Sequence, residues 1–131
     1  MESVFEVDDT RGIGRWALKG QVTDDGFREN FRAVSEILAG LKLTAGIIDF
    51  SEVTSFDVSE ETIRQLASTQ PVLSSDMLRL VIAPQGEAFA KARSFAAISQ
   101  LSRPNLFVVK SAEAAYHILG LQNPAFRRLA G

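Results

Sequence analysis

The sequence predicts an α/β fold: a mostly parallel, mixed five-stranded sheet with an N-terminal antiparallel hairpin and about four helices. Three observations predict it. Two short apolar-rich stretches flank the polar turn Asp8-Asp9-Thr10-Arg11-Gly12, which makes an antiparallel hairpin. Helical and strand patterns then alternate along the chain, and such alternation builds a parallel sheet through right-handed crossovers. The composition is ordinary for a folded chain, with 131 residues, 46% hydrophobic and 23% charged. That is long enough to bury a real core and too apolar for disorder.

Val4–Val7 reads as the first strand, and Ile13–Leu18, carrying the only tryptophan, Trp16, as the second. Gly20-Gln21-Val22 leads into a helix capped by Thr23 or Asp24, whose side-chain oxygens accept otherwise unpaired amide hydrogens. Phe27, Phe31, Val34, Ile37, Leu38 and Leu41 recur at helical spacing, which gives one apolar stripe on a helix ending near Leu41. Ala45–Phe50 is a mostly buried strand. A second helix spans Ser59 to about Thr69 and is closed by Pro71. Leu78–Ala83 is a strand stopped by Pro84, and a third helix runs from about Gly86 to Leu101. Leu106–Val109 is the last strand. Ser111 caps a final helix, Ala112–Leu119, which Gly120 ends. The chain is read as one domain, 1–131, with its core over about 3–121 and a tail over 122–131.

Composition excludes several classes. The chain has no cysteine, so it has neither a disulfide framework nor a thiolate metal site. One histidine, His117, does not make a zinc site, and it reads as a half-exposed helix residue. Gly12-Ile13-Gly14 lies in the hairpin and not at a strand-to-helix turn. The sequence contains no Gly-x-Ser-x-Gly elbow and no Gly-Lys-Ser or Gly-Lys-Thr phosphate loop. No catalytic residue, cofactor or metal is therefore expected, and the chain is not expected to be an enzyme. A net charge of −2 lacks a nucleic-acid footprint. Charge is unevenly spread: residues 1–66 hold 13 acids and seven bases, residues 67–131 three acids and seven bases. That spread reads either as ordinary solvated surface or as a polar molecule that orients a charged partner. No run approaches the ~20 apolar residues of a membrane span. The start, Met1-Glu2-Ser3-Val4, has no basic-then-apolar pattern of a signal peptide. A cytoplasmic setting is expected.

The segment with the strongest signal is Ile47-Ile48-Asp49-Phe50-Ser51-Glu52-Val53-Thr54-Ser55-Phe56-Asp57-Val58-Ser59-Glu60-Glu61. It is read as a buried strand joined to a helix start by a polar, hydroxyl-rich loop at the carboxyl end of the sheet, where such folds meet their ligands. In this segment the sequence resembles the STAS domain, the SpoIIAA-like fold of anti-sigma-factor antagonists and of the cytosolic tails of sulfate transporters. The family's run is an aspartate at the strand end, then apolar-Ser-x-Val-Thr, then apolar-Asp-Ser-Ser-Gly and a helix. Asp49, Ser51, Val53, Thr54, Phe56, Asp57 and Ser59 match it in order, and Gly20-Gln21-Val22-Thr23 looks like the family's entry to its first helix.

The resemblance implies a bacterial-type, non-enzymatic regulatory module that binds a protein partner, a kinase or an anti-sigma-type regulator. It marks Ser59, Asp57, Thr54, Asp49 and Glu60 as the partner-facing residues. It also implies a phosphoacceptor at Ser59, the position of the second serine of Asp-Ser-Ser-Gly. Two departures bear on that switch. Val58 replaces the first serine, and Glu60, followed by Glu61, replaces the glycine; two acids repel an incoming phosphate. Read without the resemblance, Ser59 is an N-cap with Val58 and Ile63 as a hydrophobic staple. Asp57 with Glu60 is an alternative capping box. Asp49, Ser51 and Thr54 read as residues that hold a turn.

An alternative function is binding of a small molecule or lipid. Phe89 and Phe95, with Met77 nearby, would line an apolar pocket between the second and third helices, although residues at helical spacing usually belong to a core. Phe126, Arg127 and Arg128 make a small basic, aromatic tail. It reads either as a loose terminus or as a helix that docks on a second copy to form a homodimer.

Overall fold

The computed structural model describes residues 1–71, 73–84 and 86–130. Its elements in order are β1 (Glu2–Asp8), β2 (Ile13–Thr23), α1 (Asp24–Leu38), β3 (Ala45–Asp57), α2 (Glu60–Ala67), β4 (Leu78–Ile82), α3 (Gly86–Ile98), β5 (Leu106–Val109), α4 (Ala112–Leu119) and β6 (Arg127–Ala130). They form one six-stranded sheet in the order β5-β4-β3-β2-β1-β6. The pairs β2·β3, β3·β4 and β4·β5 are parallel. Strand β1 is antiparallel to both its neighbours.

Each crossover from β2 to β5 steps one place in the same direction, so one handedness puts α1, α2 and α3 on the same face. Their apolar sides pack over Trp16, Leu18, Phe50 and Val81. Alternation along the strands sends Ile13, Ala45, Ile47, Leu80 and Ile82 to the other face, where Ala115 of α4 covers them. From β5 the chain must return to the far edge of the sheet, and α4 makes that passage.

The structure corrects two expectations. The sheet has six strands, because residues 127–130 of the tail are β6, paired with the outer edge of β1. The strand has only four residues and meets a bulge between Phe5 and Glu6, too short to show alternation. Side chains hold it in place. The buried Asp8 carboxylate accepts the Ala125 N–H at 3.1 Å and the Arg11 guanidinium at 2.8 Å. Burial alone raises the Asp8 pKa, but these donors outweigh it and hold the carboxyl below its usual range. Arg127 makes a two-pronged contact with Asp9 at 2.9 and 3.0 Å. The tail thus covers an otherwise open sheet edge, and its docking as a helix on a second copy has no support. Gly131 lies outside the described residues.

The second correction concerns the signal segment. Strand β3 does not stop near Phe50 but runs on to Asp57, so Ser51–Asp57 is strand and not loop. Gly20–Thr23 is likewise strand and pairs with it, with two register shifts. Strand β4 ends at Ile82, opposite Asp49. Beyond that point β2 and β3 continue as a two-stranded parallel ribbon. The segment still lies at the carboxyl end of the sheet, and Ser59, Glu60 and Glu61 at the start of α2 are exposed.

An aromatic cluster holds that ribbon against α1. Phe27 stacks on Trp16 with centroids 5.9 Å apart and planes 6° apart. It meets Phe31, Phe50 and Phe56 edge-on at 6.2, 6.2 and 5.6 Å. Phe27→Ala is expected to cost about 3–5 kcal/mol, read as a lowered urea midpoint, whereas a truncated exposed side chain such as Arg32→Ala stays within about 0.5 kcal/mol.

Candidate functional site

The mouth of the sheet is an open cleft of about 850 Å³. One wall is the end of β3 from Val53 to Asp57 with Val58 and Ser59, and the others are the starts of α1 and α3. This convergence follows from topology: every helix after a parallel strand begins at that strand's carboxyl end.

Ser59 is the cap of α2. Its hydroxyl accepts the Thr62 N–H at 3.2 Å and donates to the Thr62 hydroxyl at 3.1 Å. Val58 and Ile63, each 2% exposed, bracket the cap as a hydrophobic staple. Asp57 stays in β3 and caps nothing. The Ser59 backbone N–H donates to the Asp24 carboxylate at 2.7 Å. This bond, with lesser help from Thr62, the Ser59 hydroxyl and Arg28, holds the Asp24 carboxyl below the usual range. Thr23, not Asp24, caps α1, accepting the Gly26 N–H. Asp24 is thereby free to clamp the start of α2, a role that short-range spacing does not reveal, since the two residues lie 35 apart.

Lys91 of α3 also joins the site. Its ammonium donates to the Val58 carbonyl at 2.6 Å and lies 3.9 Å from the Glu60 carboxylate. Among the cleft-lining residues Lys91 is the only base, against Asp24, Asp25, Asp57 and Glu87. Acids in the first turns of α1, α2 and α3 complement the positive ends of those helices.

The sequence-marked residues separate into two groups. Thr54, Asp57 and Ser59 line the cleft and are exposed, and Glu60 stands exposed beside it. Asp49 is 5% exposed and lies on the sheet. Its carboxylate accepts Arg15 at 2.7 Å and the Ser51 N–H at 2.8 Å, and Arg15 also donates to Glu6. Burial disfavours the Arg15 charge, but Asp49 and then Glu6 outweigh it, and the Arg15 pKa is raised. Asp49 therefore locks three strands together rather than facing the cleft.

The apolar residues separate as well. Phe95 and Met77 line a cavity of about 110 Å³, but it lies between α1, the sheet and the α2–β4 connection, not between α2 and α3. The space under α1, α2 and α3 is a void of about 20 Å³, room for one water at most. Phe89 lines neither of these two spaces. It is half-buried against the core and lines a separate open cleft of about 460 Å³ between α3 and β5, with Lys110 and Arg93 within 5.0 and 5.8 Å of its ring. Among the described residues, no group of three or more His, Asp or Glu is placed to hold a metal ion. No helix there is long and apolar enough to cross a membrane.

Ser59→Ala is expected to cost about 1 kcal/mol of stability through loss of the cap, measurable by chemical denaturation. Asp24→Asn should destabilise at neutral pH. The wild-type carboxyl has a folded-state pKa below its ordinary value of 3.8. Its contribution is therefore full above that value and is lost as pH falls through the lower, folded-state one. The gap in melting temperature between wild type and variant should narrow as pH drops below about 4.

No protein-family model matches the chain, and no curated protein is close enough to count as a relative. Among solved structures, the fold matches that of the anti-sigma factor antagonist SpoIIAA in its unphosphorylated form. The TM-score is 0.50 and the identity 16%, over 92% of this chain and 99% of that one. At that identity the likeness concerns backbone architecture, and it establishes that this chain has the SpoIIAA-like, STAS-type α/β fold.

Proposed function

We propose that residues 1–131 form a non-enzymatic regulatory module that binds a protein partner in its mouth cleft, in a cytoplasmic setting. The observation that carries this reading is the cleft itself. The exposed end of β3, paired with β2 on one edge and past Asp49 with no strand on the other among the described residues, faces the start of α3 across an acidic opening. An extended partner segment fits such a site by adding along the free edge of β3. Four acids against one lysine favour basic side chains on that segment. The SpoIIAA-like fold adds support, because the matched structure is that of an anti-sigma factor antagonist.

Ser59 is the candidate switch within this reading. A phosphate there adds a charge of about −1.5 to −2 next to Asp24, which binds the Ser59 N–H, and close to Asp57 and Glu60. Repulsion would loosen the clamp between α1 and α2 and open the cleft wall, which favours release of the partner.

Affinity capture from the native cell tests both parts. Wild type and Ser59→Ala should retain a specific protein, weakened by salt and lost with Asp57→Lys, and Ser59→Asp should release it. Absence of any specific partner with wild type would sink the docking role. Equal retention by Ser59→Asp would remove the switch and leave the docking.

A further inference from the structure

The cavity of about 110 Å³ at the opposite end of the strands is walled by apolar side chains, including Trp16, Phe31, Val34, Met77 and Phe95. Its two charged lining residues are both arginines, Arg79 and Arg103. Arg103 is 6% exposed. Its guanidinium donates to the carbonyls of Ala67 and Thr69 at 3.2 Å, with longer contacts to the hydroxyls of Ser99, Ser102 and Thr69. Arg79 donates to the carbonyls of Ser74, Ser75 and Met77. Among the described residues, neither arginine has a carboxylate within ion-pair distance, unlike Arg11, Arg15, Arg28, Arg32 and Arg127. Arg79 is half-buried, and Asp76, farther off, offsets part of the burial cost on its charge, whereas Arg103 is buried and faces only the like charge of Arg79. Hydrogen bonds to carbonyls satisfy donors but do not neutralise charge, and a buried charge without a counter-ion is costly. Burial, and then the like charge of Arg79, push the Arg103 pKa down to about 10.

We propose that this cavity binds a small carboxylic acid with an apolar body, its chain among Trp16, Phe31 and Phe95 and its carboxylate supplying the counter-charge that Arg103, with Arg79 beside it, lacks within ion-pair distance. Guanidinium forks match carboxylate oxygens in geometry as well as charge. Size sets the class: an apolar cavity of about 150 Å³ holds a benzene ring of six carbons, so the smaller space of about 110 Å³ suits a chain of roughly four carbons. The site is distinct from the mouth cleft and shares no lining residue with it.

Trp16 lines the cavity and is the chain's only tryptophan, so its fluorescence reads occupancy without a label. Butanoate, 1-butanol and butylammonium would be titrated into the full chain. Butanoate is expected to shift the Trp16 emission saturably and to bind about tenfold or more tighter than butanol, the size of a charge-assisted hydrogen bond. Butylammonium should bind more weakly still. Arg79→Gln should cost butanoate about tenfold and leave butanol unchanged, with its melting curve recorded to confirm folding. Amide shifts in wild-type protein should map to residues 46–48 and 77, and Asp57→Lys should leave the response intact, which separates this site from the partner cleft. No response to butanoate, or equal affinity for butanoate and butanol, would overturn the proposal and leave the arginines only the task of tying carbonyls.

Discussion

Packing of Phe27 against the ribbon of β2 and β3 is the contact on which the functional end of this molecule depends. An isolated pair of strands is marginal in water, and β2 and β3 run past β4 as such a pair. What keeps them ordered is burial: Phe50 and Phe56 point inward from β3, and Phe27 of α1 touches both. With the ribbon held, Val58 reaches the core and Ser59 falls at the start of α2. The cleft wall is therefore a consequence of aromatic packing beneath it. The same cluster continues through Phe31 to Phe95, 6.2 Å away, and so reaches the cavity at the other end of the sheet.

Polarity along the strands organises the rest. In a parallel sheet with crossover helices, all helix starts gather at the carboxyl ends of the strands. Their unpaired amides and positive dipole ends favour acids there, and Asp24, Asp25, Glu60, Glu61 and Glu87 occupy first turns. Helix ends gather at the opposite side, where their carbonyls favour cations, and Arg103 binds the carbonyls of Ala67 and Thr69 just there. One physical asymmetry thus gives two regions of opposite charge, an acidic cleft and an arginine-bearing cavity.

Local features were legible in the sequence because they depend on near neighbours. The hairpin turn, the apolar stripe of α1, the Ser59 cap with its staple, and the Ser111 cap and Gly120 stop of α4 all appear as read. Gly120 has φ 67°, the left-handed conformation that glycine supplies most readily. The polar run Ser51–Asp57 misled, because serine, threonine and glutamate suggest a loop. Its inward positions Val53 and Phe56 are too few to show a strand before the helix above them is known. The clamp between Asp24 and Ser59, the Lys91 bond to Val58 and the lock of Asp49 on Arg15 each join residues more than 30 positions apart. Periodicity carries no information at that range.

Taken alone, the sequence determined the fold class, the order of the elements up to α4, and the segment that lies at the mouth of the sheet, since hydrophobic period and capping chemistry are local. Tertiary structure alone decided three matters: that β3 extends as a ribbon, that the tail closes the sheet as β6, and that Arg79 and Arg103 share a cavity. Each depends on which surfaces meet after folding. A strand edge, a four-residue partner and an uncompensated charge acquire their energies only from neighbours that the chain brings together from far apart.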